Sequence, residues 1–389
     1  MNFQEIQSEI RARGFDGWLF FDHHGRDPLA SRILGLPSDL EASRRWYYLI
    51  PSAGDPRKLV HRIESRTLDS LPGDKQSYSS WTDQHSRLEE LLKDCSRIAM
   101  QYSPNCSIPY VSNVDAGTLE LIRGFGKEVV SSADLVQIFE ARWTAEQLEM
   151  HLEAGRRVDQ VRRDAFDVIG ERLRSGEGIT EYEVQQFMLA RFSQSNLSTN
   201  HGPIVAVNQH ASDPHYEPTS ATSLPIGNGS VVLIDLWAKL IAPRAVYYDV
   251  TWVGYCGESI PASVENVFEI VRDARKSASR FVIDKVASGQ PFAGFEVDDA
   301  ARTFIERRGF GEFFFHRTGH SIGVEVHGTG ANMDNLESHD NRSVIPQTCF
   351  SIEPGIYLPD FGIRSEVNVY AGKDRAFVTG EEQDQLIRI

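Results

Sequence analysis

The chain has 389 residues, 41% hydrophobic and 24% charged, with 55 acids against 40 bases for a formal net charge of −15. That length exceeds one ordinary domain, and the apolar share suffices for two sizeable cores. The acidic balance argues against nucleic acid or an anionic membrane as partner, and no apolar run approaches the roughly 20 residues of a membrane helix.

Taken from the N-terminus, residues 1–10 read as a charged amphipathic helix rather than a signal peptide, which makes the cytoplasm the expected address. Strands are expected at 17–21, 46–50, 58–63 and 97–100, alternating with helices as far as residue 140, an α/β pattern. Trp18, Trp46, Tyr47 and Tyr48 read as core residues, not as a ligand box. The stretches 102–105 and 131–134 carry loop and capping signals. At Thr144 a long amphipathic helix begins, with Leu148, Leu152, Val158 and Val161 among its apolar positions. It divides the chain into a domain over 1–140 and a second over 141–389, where helices near 181–195, 261–287 and 295–308 alternate with strands. Cys95, Cys106, Cys256 and Cys349 are scattered without a C-x-x-C pair, the pattern of reduced structural thiols.

The second domain carries the chemistry. Asp235 interrupts the run from Val231 to Trp237, which otherwise reads as a buried strand. An ionised aspartate there costs several kcal/mol unless it is paired, coordinated or protonated. Asp249 lies in a second strand over 245–253, and Ala242-Pro243-Arg244 supplies a turn between them, so the two acids read as a hairpin pair. Parity within each strand does not say whether they share a face, because the turn length is open. A capping or turn role is the plainer alternative for either aspartate.

Residues 313–327 hold three histidines, His316, His320 and His327, among glycines. Arg317 stands where a zinc-protease H-E-x-x-H helix needs glutamate, and Gly319 and Gly323 argue against a regular helix. Farther on, a strand over 349–352 ends at Glu353, which Pro354-Gly355 follows as a turn or bulge signal. A second strand over 363–370 carries Glu366. Asp235, Asp249, His320, Glu353 and Glu366 together suggest a two-metal site. Four carboxylates would repel one another without cations between them, and two divalent ions balance their charge. Oxygen ligands with one imidazole suit Mn2+, Co2+ or Zn2+ better than a thiolate-loving ion.

Four stretches carry a resemblance: 207–216, His320 within 319–327, Glu353-Pro354-Gly355-Ile356-Tyr357, and Gly362-Ile363-Arg364-Ser365-Glu366. In this order, with the paired aspartates, they resemble the creatinase, prolidase and aminopeptidase P group of M24-type metallopeptidases, most like a bacterial Xaa-Pro dipeptidase, over the whole chain. The resemblance implies an α/β (α+β) protein with a C-terminal pita-bread catalytic domain behind a smaller creatinase-type N-terminal domain. It further implies that Asp235 chelates one ion, Asp249 and Glu366 bridge both, and His320 and Glu353 complete the second. Glu353 would also shuttle the proton, while His215 and His327 would contact substrate and stabilise the tetrahedral intermediate. His316, Tyr357 and Arg364 would line the substrate pocket or support the ligands. The implied substrates are short proline-containing peptides, and the implied assembly is a homodimer.

Two departures from the family stand out. The aspartates are fourteen positions apart, a longer spacing than usual, and Val367 occupies the place of a second acid after Glu366. A dipeptidase must grip the carboxylate after proline, and Arg364 and Arg317 are the local candidates. The rival readings are an aminopeptidase P, a metal-free creatinase-like amidinohydrolase, and a non-catalytic peptide-binding module. The last two would be expected to have lost ligands, and this chain keeps all five.

Overall fold

A computed structural model describes every residue except Met1, Ser38, Asp39 and Glu41. The first position of the expected opening helix therefore lies outside the described residues. From Phe3 to Ala12 that helix is present, capped by the Asn2 side chain and burying Ile6 and Ile10 one turn apart. The chain separates into two units, Met1–Glu140 and Ala141–Ile389.

The N-terminal unit is built on one six-stranded sheet. Its strands run across the sheet in the order Asp74–Tyr78, Arg57–His61, Trp46–Pro51, Gly17–Asp22, Arg97–Met100, Glu128–Ser131. Gly17–Asp22 and Trp46–Pro51 pair antiparallel, with Trp18 opposite Ile50 and Phe20 opposite Tyr48. Both strands are buried on both faces, so they read as unbroken apolar runs. Alternate residues feed two cores: Trp18, Phe20, Trp46, Tyr48 and Ile50 one, Leu19, Phe21, Tyr47 and Leu49 the other.

Three details differ from the expected pattern. Arg57–His61 ends before residue 63, because Arg62–Glu64 forms a short 3-10 turn. Trp46–Pro51 also passes directly to Arg57–His61 as an antiparallel pair, with no helix between. Asp74–Tyr78 and Glu128–Ser131 are additional edge strands with little apolar signal, which edge positions tolerate.

In the second unit the helix Ala145–Ser175 starts at a Thr144–Gln147 capping box and stops at Gly176 in the left-handed conformation. With Glu181–Gln194 it packs on the sheet formed by Ile204–Val207, Val231–Leu240 and Tyr248–Tyr255. Ala262–Ala287 and Gly294–Glu306 share a second core with Thr348–Ile352, Gly355–Tyr357, Gly362–Arg364 and Val367–Ala371. All four cysteines are free thiols. Among the described residues no helix is long and apolar enough to cross a membrane.

Candidate metal centre

The register of the first hairpin settles the question its turn left open. Asp235 faces Thr251 and Trp237 faces Asp249 across the antiparallel pair, so the two aspartates lie two positions apart in register. An even offset puts them on one face. The backbone N–H of Asp249 donates to the Asn368 side chain at 3.0 Å, and the Asn368 amide donates back to the Asp249 carbonyl. This ties the hairpin to the strand that follows Glu366.

The second acid pair is built differently from the expected continuous strands. The run 363–370 is broken, with Gly362–Arg364 and Val367–Ala371 on either side of Ser365 and Glu366. There the backbone leaves the ladder: Ser365 N–H donates to Pro354 at 3.3 Å and Glu366 N–H to Thr251 at 3.1 Å. Glu353 sits in the matching gap between Ile352 and Gly355, its N–H donating to Thr318 at 2.7 Å. Such local breaks re-aim one side chain without unravelling the sheet. Val367, in the place of the family's second acid, belongs to the hydrophobic core.

His320 is seated by Gly319, where a Cβ would stand 1.9 Å from the Ser351 carbonyl oxygen. The backbone N–H of His320 donates to Ser351 Oγ at 2.9 Å, and Ser351 Oγ donates to Glu353 Oε1 at 3.0 Å. The ring Nδ1–H lies 3.2 Å from the Ser321 carbonyl, which leaves Nε2 as the free lone pair. Nε2 is 3.4 Å from Glu353 Oε1 and 3.6 Å from Asp249 Oδ2.

Asp249, His320 and Glu366 each offer a donor atom, all within 4.8 Å of one another and all buried. Asp235 Oδ1, Asp249 Oδ1 and Glu366 Oε1 are buried with no protein hydrogen-bond partner. Burial, then Asp235, pushes the Asp249 carboxyl well up, and burial, then Asp249, does the same to Glu366. Burial raises Glu353 against the pull of His320, and lowers the His320 imidazole. Orphaned acid oxygens around a free imidazole nitrogen are costly unless a cation compensates them, so the donor set fits divalent metal.

Behind Asp235 runs a chain of hydrogen bonds. Arg364 donates to Asp235 Oδ2 at 2.5 Å, to Thr251 Oγ1 at 3.1 Å and to the Tyr357 hydroxyl at 3.1 Å. That hydroxyl lies 2.7 Å from His316 Nε2, and His316 Nδ1 lies 2.7 Å from the Arg317 carbonyl. Burial first, then Arg364, pushes His316 down to about 3, so the neutral ring donates through Nδ1 and accepts from Tyr357. Arg364 and Tyr357 are thus interior residues, while His215 and His327 are exposed. The His327 ring stands edge-on to His320 at 4.4 Å, and His320, then partial burial, pushes it down to about 3.

Three partners escaped the sequence reading: Thr251, which donates to Glu366 Oε2 at 2.8 Å, together with Ser351 and Asn368. The strand period of two was the available signal for Thr251 and Asn368, two positions beyond Asp249 and Glu366.

The chain belongs to metallopeptidase family M24, whose sequence profile matches residues 149–373. It is 32% identical over 210 residues to an Xaa-Pro dipeptidase of Lactobacillus delbrueckii subsp. lactis, covering 52% of this chain and 50% of that protein. Over 276 residues it is 28% identical to an Xaa-Pro dipeptidase of Lactobacillus helveticus, covering 68% and 66%. The matches thus span half and about two thirds of these relatives' lengths. Dipeptidase PepE from Mycobacterium ulcerans superposes with a TM-score of 0.73 at 21% identity, over 100% of this chain and 96% of that one. The shared fold is the pita-bread architecture, preceded in the chain by a smaller α/β domain.

Proposed function

We propose that this M24 chain is a dinuclear metal-dependent peptidase that hydrolyses Xaa-Pro bonds, acting as an Xaa-Pro dipeptidase. The observation that carries the metal requirement is the cluster of buried donor atoms from Asp249, His320 and Glu366 within 4.8 Å of one another, together with unpartnered buried oxygens on Asp235, Asp249 and Glu366. Asp235 and Asp249 would hold one ion and His320 with Glu353 the other, Asp249 and Glu366 contributing to both. When bound, such ions polarise a carbonyl and lower the pKa of water toward neutrality.

The chain's own residues then divide the remaining work. Glu353, half-buried at the edge of the centre, takes the proton of the attacking water and returns it to the leaving nitrogen. His215 and His327, on the exposed side, donate to the charge that develops on the carbonyl oxygen. A neutral His327 can do this through one ring N–H. The Arg364 guanidinium is engaged with Asp235, Tyr357 and Thr251. We therefore assign it to holding Asp235, with Tyr357 and His316 behind it, and not to gripping the peptide.

The sequence similarity to named Xaa-Pro dipeptidases supports the substrate class. Protein stripped of metal and reloaded with Mn2+ is expected to release proline from Xaa-Pro dipeptides only in the loaded state. Turnover that survives stripping would point to creatinase-like chemistry, cleavage confined to Xaa-Pro-Yaa tripeptides to an aminopeptidase P, and no turnover in either state to a binding module.

A further inference from the structure

Glu181 is a buried acid that the proposed chemistry does not use. It opens the helix Glu181–Gln194, next to the Thr180 cap. Its Oε1 accepts from the Val207 backbone N–H at 2.7 Å. Oε2 accepts from the Leu224 backbone N–H and from the Tyr216 hydroxyl, each at 2.7 Å. His210 Nδ1 lies 3.0 Å from both oxygens, and its ring stacks on Tyr216 at 4.2 Å.

These donors are arranged unevenly along the chain. Val207 ends the strand Ile204–Val207, and Leu224 precedes the short strand Pro225–Ile226. One carboxylate therefore fastens both ends of the intervening stretch and grips it twice within. That stretch has one 3-10 segment, Asn208–Ser212, and is otherwise without helix or strand. His215 is the residue before Tyr216. Its backbone N–H donates to Asp213 Oδ1 at 3.0 Å. On the far side of the stretch Ser212 Oγ donates to the Leu358 carbonyl, near Gly362, where a Cβ would stand 1.8 Å from the Ala211 carbonyl oxygen. The segment is thus clamped against the hairpin of Gly355–Tyr357 and Gly362–Arg364, between Glu353 and Glu366 in the chain, with Glu181 as its polar anchor.

We propose that Glu181 is a positioning residue that fixes the 208–224 segment and, through it, the imidazole of His215 at the edge of the metal centre. This rests on the proposed role of His215 as a donor to the carbonyl oxygen. A carboxylate suits the post because all its polar partners are donors. A glutamine keeps the shape but turns an NH2 group toward at least one of them, leaving a buried N–H unpaired. A loop released by even a small shift loses the reactive geometry of its side chain.

The test compares Glu181→Gln, His215→Ala and the double variant on Ala-Pro with Mn2+ bound. Glu181→Gln is expected to lower kcat/KM by about 10- to 100-fold, mostly in kcat. In the double variant the loss should equal that of His215→Ala alone, because both changes remove one function. Losses that multiply, or an unimpaired Glu181→Gln, would overturn the proposal. Should Glu181→Gln fail to fold, Tyr216→Phe removes one bond of the same anchor and carries the same coupling test. If the wild type does not cleave Ala-Pro, the proposed activity falls by itself. Hydrogen exchange then decides the anchor: faster exchange over 207–224 with 348–371 unchanged supports it, and equal protection of 207–224 sinks it.

Discussion

Among the single residues, Glu353 is distinguished by being only partly buried beside an otherwise buried ligand set. If it carries the proton, Glu353→Gln should reduce turnover by at least about 100-fold, the scale of general acid–base catalysis. Near-ultraviolet circular dichroism should be unchanged, and an active, metal-loaded Glu353→Gln enzyme would remove the residue from its role. His151 supports a different kind of test. Its Nδ1–H donates to the Tyr247 carbonyl at 2.6 Å, and Nε2 accepts from Thr379 at 2.7 Å, so the ring is held neutral. Burial pushes it down to about 4 from the ordinary 6.5. Below the ordinary value the unfolded chain binds a proton that the folded one refuses, so stability should fall as pH drops from about 6.5 through about 4. Metal-free protein should show this in thermal melts, and His151→Gln should flatten that part of the profile. A pH dependence identical in both proteins would count against the argument.

The elements that carry the site were legible in unequal degree. Both strands of the Asp235–Asp249 hairpin stand out as apolar runs, and the helix that begins after Thr144 shows in its apolar spacing. The register that puts both aspartates on one face was not legible, since it depends on the conformation of the 241–247 connection, where Arg244 is left-handed with φ 59°. The break at Ser365–Glu366 has no glycine or proline to signal it. It arises from tertiary hydrogen bonds to Pro354 and Thr251. Edge strands such as Asp74–Tyr78 were silent because only Tyr78 of that strand is buried. Close approach is a property of elements too. At Gly319 a methyl group would overlap the backbone of the neighbouring strand Thr348–Ile352 at Ser351, an encounter a side-chain rotation cannot relieve. Gly319→Ala should therefore destabilise the second unit by about 1–3 kcal/mol, as overpacking does, and weaken metal binding at the adjacent His320. An unaltered denaturation midpoint and metal affinity would contradict this.

Taken as a whole, the molecule gathers buried acids that its own donors satisfy only in part. Asp249, His320 and Glu366 meet from segments far apart in sequence, and buried oxygens of Asp235, Asp249 and Glu366 have no protein donor. Cation binding should stabilise the folded chain by mass action, by about 2.7 kcal/mol when free metal is a hundredfold above its dissociation constant. Metal affinity should also decline in acid, because Asp249, Glu366 and Glu353 hold protons more tightly than exposed carboxyls do. A melting temperature indifferent to Mn2+ would argue that the acids serve another purpose. Anomalous diffraction from Mn2+-soaked crystals addresses the dinuclear proposal most directly. Two peaks are expected within the ring formed by Asp235, Asp249, His320, Glu353 and Glu366, and a ring without anomalous signal at saturating metal would contradict it.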